Sequence, residues 1–291
     1  MPRIADVVQD SVFYLYPTKE DARVGENIGG TGFFVGWTST GPPPITYVYA
    51  VTCAHVIEDG SSVIRLNTKG GKWDIIERDK ADWLQEPGGT DLAVAAVDPA
   101  DHHKFKWNGI DDFLNDRMMK EYNIGPGDDV FMCGRFVNIE GKQRNTPVLR
   151  FGNIAMMPSE PVAGWQGVPQ ESFLVEMRSL SGFSGSPVFI YILPTEIRMD
   201  VPKWTDMQSG TFYGPWLLGV NWGHIPIYEK VLGPKRDKHG NRKPVNDAWD
   251  VPMISGMNAV TPAWRLMEFL MDDPDLNERR ALLRNKDSLG K

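Results

Sequence analysis

Ser181-Gly182-Phe183-Ser184-Gly185-Ser186-Pro187-Val188-Phe189 is the stretch on which the reading of this chain turns. It lies between the apolar runs Phe173-Leu174-Val175 and Val188-Phe189-Ile190, so it reads as a tight loop joining two strands. Gly182 and Gly185 let the backbone turn sharply and gather peptide N–H groups into one small space. A serine held there can attack a carbonyl while the N–H groups of Gly182 and Ser184 receive the oxygen that becomes negative. Alone, such a glycine-flanked serine is more often just a turn.

Two upstream stretches change its weight. Tyr49-Ala50-Val51-Thr52-Cys53-Ala54-His55-Val56-Ile57 is a β-branched and aromatic strand that ends in an imidazole. Thr90-Asp91-Leu92-Ala93-Val94-Ala95-Ala96-Val97 sets an aspartate at the head of an apolar strand. Each has an ordinary reading, the histidine as a satisfied core or surface group and the aspartate as a turn residue. Together they give His, Asp and Ser in that order, each at a strand end, one of the known arrangements of a nucleophile triad. On these residues the chain resembles the chymotrypsin-like (trypsin-fold) serine peptidases. The matching segments are Gly30-Thr-Gly-Phe-Phe-Val-Gly36, Thr52-Cys-Ala-His55, Thr90-Asp-Leu-Ala-Val94, Gly182-Phe-Ser-Gly-Ser-Pro187 and Gly219-Val-Asn-Trp-Gly223. They come in the family's order across most of residues 8–270.

The resemblance implies a mainly all-β fold of two packed antiparallel Greek-key β-barrels with a C-terminal helix. It divides the chain into a first barrel, residues 1–110, carrying His55 and Asp91, and a crossing at 111–126. A second barrel, 127–271, carries Ser184 and ends in a helix, and a charged tail spans 272–291. It implies a serine endopeptidase in which Ser184 is the nucleophile, His55 the base and Asp91 the group that orients it. Gly182 and Ser184 would form the oxyanion hole, and Asn221, Trp222 and Gly223 would pair with the substrate backbone. Counting six positions back from Ser184 puts Arg178 at the floor of the pocket for the residue before the cut; Glu176 could reach it only if the register shifts. Phe183 stands where animal relatives have the aspartate that pairs with a newly cut N-terminus. The loop must therefore be held by packing, or ordered by substrate or a partner. No metal or organic cofactor is implied, and the partner is a protein or peptide substrate. The rival reading is a trypsin-fold binding or scaffolding module that has lost turnover; a weaker one is an esterase-like hydrolase.

The bulk composition agrees with a globular chain. It has 291 residues, 41% hydrophobic and 24% charged, with 29 Gly and 22 Pro, which suits a turn-rich protein. A formal charge of −7 argues against a general nucleic-acid binder. No apolar run approaches the roughly 20 residues of a membrane span, and no apolar segment follows Met1 as in a secretory signal. Only Cys53 and Cys133 are present, and the resemblance puts them in different barrels, so a disulfide is not expected. Free thiols without a signal point to a cytoplasmic, intracellular-type member. Cys53 lies two residues from His55 but reads as a small buried residue.

Along the chain, Thr18–Asn27 reads as a loop and Gly29-Gly30-Thr31-Gly32 as the start of a strand. His102 and His103, being adjacent, read as solvated. Ile110–Tyr122 is spaced as a short amphipathic helix, and Pro262 begins a helix reaching Met271. The polar insertion 224–252, with Lys235, Arg236, Lys238, His239, Arg242 and Lys243, reads as a solvated flexible loop rather than a basic recognition arm.

Overall fold

The structure is a computed structural model and describes residues 3–136, 141–164, 167–177, 182–193, 213–236, 239, 242–246 and 249–289. Its main strands in the first half are β1 (Val12–Tyr16), β2 (Gly30–Thr38), β3 (Thr46–Thr52), β4 (Val63–Asn67), β5 (Trp73–Ile76) and β6 (Ala93–Val97). The second half has β7 (Asp129–Gly134), β8 (Val148–Met156), β9 (Phe173–Glu176), β10 (Ser186–Ile192), β11 (Tyr213–Lys230) and β12 (Asp250–Pro262).

In the first half, the eight-stranded sheet runs β5-β4-β1-β2-β3-β6 and continues to Leu84–Gln85; Asn108–Gly109 adds to β2. No ladder among the described residues joins its two outer strands. The second half closes into a barrel in the order β8-β9-β12-β11-β10-β7. This is the trypsin-like all-β architecture, and the reason lies in the strands' composition. The central strands are rich in β-branched, aromatic and other apolar residues and are buried along almost their whole length, as in Val12-Phe13-Tyr14-Leu15-Tyr16 and Val130-Phe131-Met132-Cys133. The first half has its own core around Phe13, Phe33, Phe34, Val51 and Leu92. That core continues through Phe131, Phe189 and Leu217 into the second half, so the halves meet on apolar surface.

Among the described residues there are five α-helices: α1 (Lys19–Val24), α2 (Ala54–Glu58), α3 (Asp116–Glu121), α4 (Ala263–Asp272) and α5 (Pro274–Leu289). The expected loop at 18–27 is instead mostly α1. Thr18 accepts the Asp21 N–H at 3.0 Å as its N-cap, and Gly25 ends the helix in the left-handed region. The helix expected over 110–122 is split into a 3₁₀ turn, Ile110–Asp112, and α3, which Asn115 caps by accepting from the Met118 N–H at 3.0 Å. Pro262 does precede α4, which buries Ala263, Leu266, Phe269 and Leu270. The charged tail folds as α5 and crosses back to the first half. There Arg280, 6% exposed, donates to the Tyr49 hydroxyl at 2.9 Å, and its guanidinium lies 4.8 Å from the centre of the Trp37 ring.

A second crossing runs the other way. Arg65 of β4, fully buried, donates to the carbonyls of Gly141 and Lys142 at 2.7 and 3.1 Å. Asn145 returns a bond from its amide to the Arg65 carbonyl at 2.6 Å.

The insertion 224–252 is not simply a flexible loop. Its flanks prolong β11 and β12 into a paired hairpin arm that reaches Lys230↔Asp250, beyond which Leu232–Arg236 pairs with Arg242–Pro244. Lys238 lies outside the described residues. No helix among the described residues is long and apolar enough to cross a membrane.

Candidate active site

β3 delivers Thr52 and Cys53 to the start of α2, and His55 is the second residue of that helix. Asp91 sits just before β6, 3% exposed. Its two oxygens divide the work. Oδ1 accepts the backbone N–H of His55 at 2.9 Å, and Oδ2 lies 2.6 Å from His55 Nδ1. A carboxylate at Nδ1 puts the ring proton there and leaves the lone pair on Nε2. The Asp91 N–H is in turn held by the Gln170 side chain at 3.0 Å, from the strand pair Val162–Ala163 and Pro169–Gln170 of the second half. Sequence reasoning missed Gln170, because a single buried glutamine in a Gly/Pro loop carries no local pattern.

Ser184 sits on a turn between two glycines of positive φ, +97° at Gly182 and +81° at Gly185. At Gly185 the glycine is required twice. A Cβ there would lie 2.1 Å from the Thr31 carbonyl oxygen and 2.3 Å from Thr52 Oγ1. The turn is sewn to the first half by Thr31. Its N–H donates to the Ser184 carbonyl at 3.0 Å, and its hydroxyl donates to the Gly182 carbonyl at 2.9 Å. It is sewn to the second half by Asn221, whose carbonyl accepts the Gly185 N–H at 2.8 Å and whose amide donates to the Phe183 carbonyl at 3.0 Å. Phe183, 1% exposed, is buried among Met132, Val188 and Leu218, and the Arg150 guanidinium lies 5.8 Å from its ring centre. Thr31 was legible only as a polar residue in an otherwise apolar strand.

The Ser184 hydroxyl donates to the Trp222 carbonyl at 3.4 Å. Among the described residues, neither the Gly182 nor the Ser184 N–H donates to another group. Of the three expected substrate-pairing residues, Asn221 is 1% exposed and spends its side chain on the turn. Trp222 is buried, and its indole donates to Ser172 Oγ at 3.0 Å. Gly223 has open space above it. Arg178 lies outside the described residues, while Glu176 is exposed at the end of β9.

Cys53 is buried, and its thiol donates to the Asn221 carbonyl at 3.4 Å. Burial, and then the neighbouring Asp91 charge, push its pKa well above the ordinary thiol value. It is therefore a thiol, not a thiolate, at neutral pH. Cys133 is also unpaired with any cysteine and buried.

A second histidine cluster lies away from this turn. His102 and His103 are not both solvated: His103 is 5% exposed, and both Nε2 atoms approach Asp74 Oδ2, at 2.7 and 3.1 Å. The bond from His102, outweighing partial burial, lowers the Asp74 carboxyl to about 2. Three ligand-type side chains thus meet within 4.8 Å. However, His103 Nδ1 accepts the Ala100 N–H at 3.0 Å, which puts the ring proton on Nε2. That nitrogen offers Asp74 a donor and a metal ion no lone pair.

No protein-family model and no curated protein matches the chain. Among solved structures it is similar to Deg5, at 17% identity and a TM-score of 0.43 over 74% of this chain and 80% of that one. It is similar to the Rv3671c protease of M. tuberculosis H37Rv in an inactive form, at 15% identity and a TM-score of 0.46 over 91% and 90%. It is also similar to the HtrA-type protease AlgW with a decapeptide, at 12% identity and a TM-score of 0.43, where 91% of this chain spans 65% of that one.

Proposed function

We propose that this chain is a serine endopeptidase that cleaves peptide bonds through Ser184, His55 and Asp91. The observation that carries the reading is the His55–Asp91 pair: a buried carboxylate bound both to the ring and to the backbone N–H of one histidine. One oxygen of that carboxylate sets the ring's tautomer through Nδ1, and the other holds the residue's backbone in place.

The chemistry follows from the groups present. A serine hydroxyl is a poor nucleophile at neutral pH and needs a base. His55 Nε2 takes the Ser184 proton as Oγ attacks the carbonyl carbon, and then passes it to the leaving amine. Asp91 holds the ring and stabilises the imidazolium that forms, without itself taking the proton. The N–H groups of Gly182 and Ser184 receive the oxyanion, each contributing about 3–4 kcal/mol to the transition state. Water, activated by the same imidazole, then releases the acyl group from Ser184.

Labelling with a fluorophosphonate probe tests this directly. The expected result is stoichiometric labelling of the purified chain that disappears in Ser184→Ala. Labelling that survives Ser184→Ala, or a folded wild-type chain that never reacts, ends the reading.

A further inference from the structure

Helix α5 lies against the sheet of the first half with an unusual inward stripe. Leu276, Arg279, Arg280 and Leu283, at the spacing of one helix face, all line the space between α5 and the strands β3 and β6. Across that space stand Tyr47 and Tyr49 of β3, and Ala96 of β6, which is paired with Tyr49 in the ladder and shares its face. A helix resting on a sheet normally closes such a seam with apolar side chains. Here the middle of the stripe is two arginines and the sheet offers an alanine, and a cavity of about 270 Å³ remains.

Charge inside the seam is unbalanced. Arg280 is 6% exposed, and an arginine stays protonated even when buried. Its partners are neutral. Its N–H groups donate to the Tyr49 hydroxyl at 2.9 Å and to Asn277 Oδ1 at 2.8 Å, and the Trp37 ring centre lies 4.8 Å from its guanidinium carbon. No carboxylate among the described residues forms an ion pair with it, and its remaining N–H groups find no protein acceptor there. Tyr49, 2% exposed, accepts through its hydroxyl oxygen, so its own proton is left to give, and it too finds no acceptor among the described residues. The Tyr47 hydroxyl, by contrast, is spent on the Arg280 carbonyl at 3.3 Å. Two buried donor groups, one of them cationic, thus meet at one cavity, and leaving such groups unmatched is costly. Arg279 and Asp98 also line the space, but both are exposed and of opposite sign, so water screens them and their charges offset.

We infer that the seam beneath α5 is a binding site for a small carboxylic acid with an apolar tail. The carboxylate accepts from Arg280 and from the Tyr49 hydroxyl, and supplies the negative charge that the protein does not. The tail lies between Ala96 and the leucines at either end of the stripe, Leu276 and Leu283. The cavity has the volume of about nine water molecules, which sets the ligand at about ten non-hydrogen atoms; octanoate is of that size. The guanidinium excludes an amine, and a phosphate or sulfate gains nothing from the apolar walls. The site is separate from the serine turn, since Tyr49 and Ala96 stand about 10 Å or more of strand away from Thr52 and Asp91. It holds whether or not Ser184 is a nucleophile, and its test reads binding rather than turnover.

That test is isothermal titration calorimetry of octanoate into the full chain, with octanamide and octylamine as tails of equal length carrying a neutral or a positive head. Octanoate should bind with a Kd on the order of 1 mM, and the other two at least about tenfold more weakly. Ala96→Leu fills the cavity without touching either donor and should remove binding. Tyr49→Phe keeps the ring but loses the hydroxyl, and should weaken octanoate about threefold or more. Arg280→Lys keeps the charge but not the planar fork, and should weaken it by at least as much. Circular dichroism checks that each variant is folded, and Ala96→Leu and Tyr49→Phe decide the matter even where Arg280→Lys does not fold. Equal affinity for octanoate and octanamide would place the binding on an exposed apolar surface, such as the hairpin arm, and overturns the proposal. So does octanoate binding that survives Ala96→Leu unchanged, or its absence up to about 10 mM.

Discussion

Replacing Gly185 by alanine should damage both stability and reactivity. The residue has a φ of +81°, and a Cβ would meet the Thr31 carbonyl oxygen at 2.1 Å and Thr52 Oγ1 at 2.3 Å. The left-handed conformation alone costs an alanine about 1–2 kcal/mol. The contact with Thr31 cannot be relieved by swinging a side chain, because that oxygen belongs to β2 and already accepts from Thr52 at 2.7 Å. Restoring van der Waals distance requires the serine turn to move by about 1 Å. That motion strains two bonds, Thr31 N–H to the Ser184 carbonyl at 3.0 Å and Gly185 N–H to the Asn221 carbonyl at 2.8 Å. At about 1 kcal/mol each, the total comes to about 3–4 kcal/mol, a large part of a domain's usual stability. A displacement of this size should also slow probe labelling about a hundredfold. Urea denaturation and labelling kinetics on the same preparation measure both. A Gly185→Ala chain that unfolds within about 1 kcal/mol of wild type and labels at the wild-type rate would refute the reasoning.

Four further outcomes are expected. Asp91→Asn keeps one acceptor oxygen but turns an amide N–H towards His55 Nδ1, so the ring adopts the wrong tautomer; labelling should fall about 10⁴-fold with the circular dichroism unchanged. The lowered pKa of Asp74 gives a stabilisation that is complete above about pH 4 and fades as pH falls towards about 2, so Asp74→Asn should flatten the stability profile across that window in acid titration. The uncut chain should label without N-terminal proteolysis, because Phe183 anchors the turn by burial rather than by an ion pair; a preparation inert until trimmed would contradict this. Cleavage of a mixed peptide library should show no preference for Lys or Arg before the cut, and sites concentrated after those residues would end the argument.

The parts of the molecule that sequence reveals are those with a local cause. As candidates, His55 and Asp91 stand out because each closes or opens a strand whose composition is unmistakable. Ser184 stands out as a candidate because its two glycines answer a backbone need. Thr31 and Gln170 do not, since each acts on residues far away in sequence and resembles an ordinary polar residue in its own neighbourhood. The hairpin arm was hidden for a different reason. Its charged tip dominates the composition of 224–252, while the strand alternation carrying Ile227, Met253 and Ile254 is interrupted by Pro226 and Pro252. His103 misled because adjacency suggested two side chains in water, whereas the turn at Ala100 folds one of them inward.

The docking of α5 has a consequence for how the cleft behaves. His55 and Asp91 belong to one half and Ser184 to the other, so the proposed chemistry depends on the two staying in register. The chain passes from the first half to the second through residues 111–126, and α5 crosses back to bury Arg280 against Tyr49 and Trp37. The halves are therefore tethered at both ends, and separating them in one place leaves each at a high effective concentration near the other. Removing α5 would cut one tether while leaving each half its own core. The loss would show first as a softer hinge, with His55, Asp91 and Ser184 intact but no longer held at a common distance.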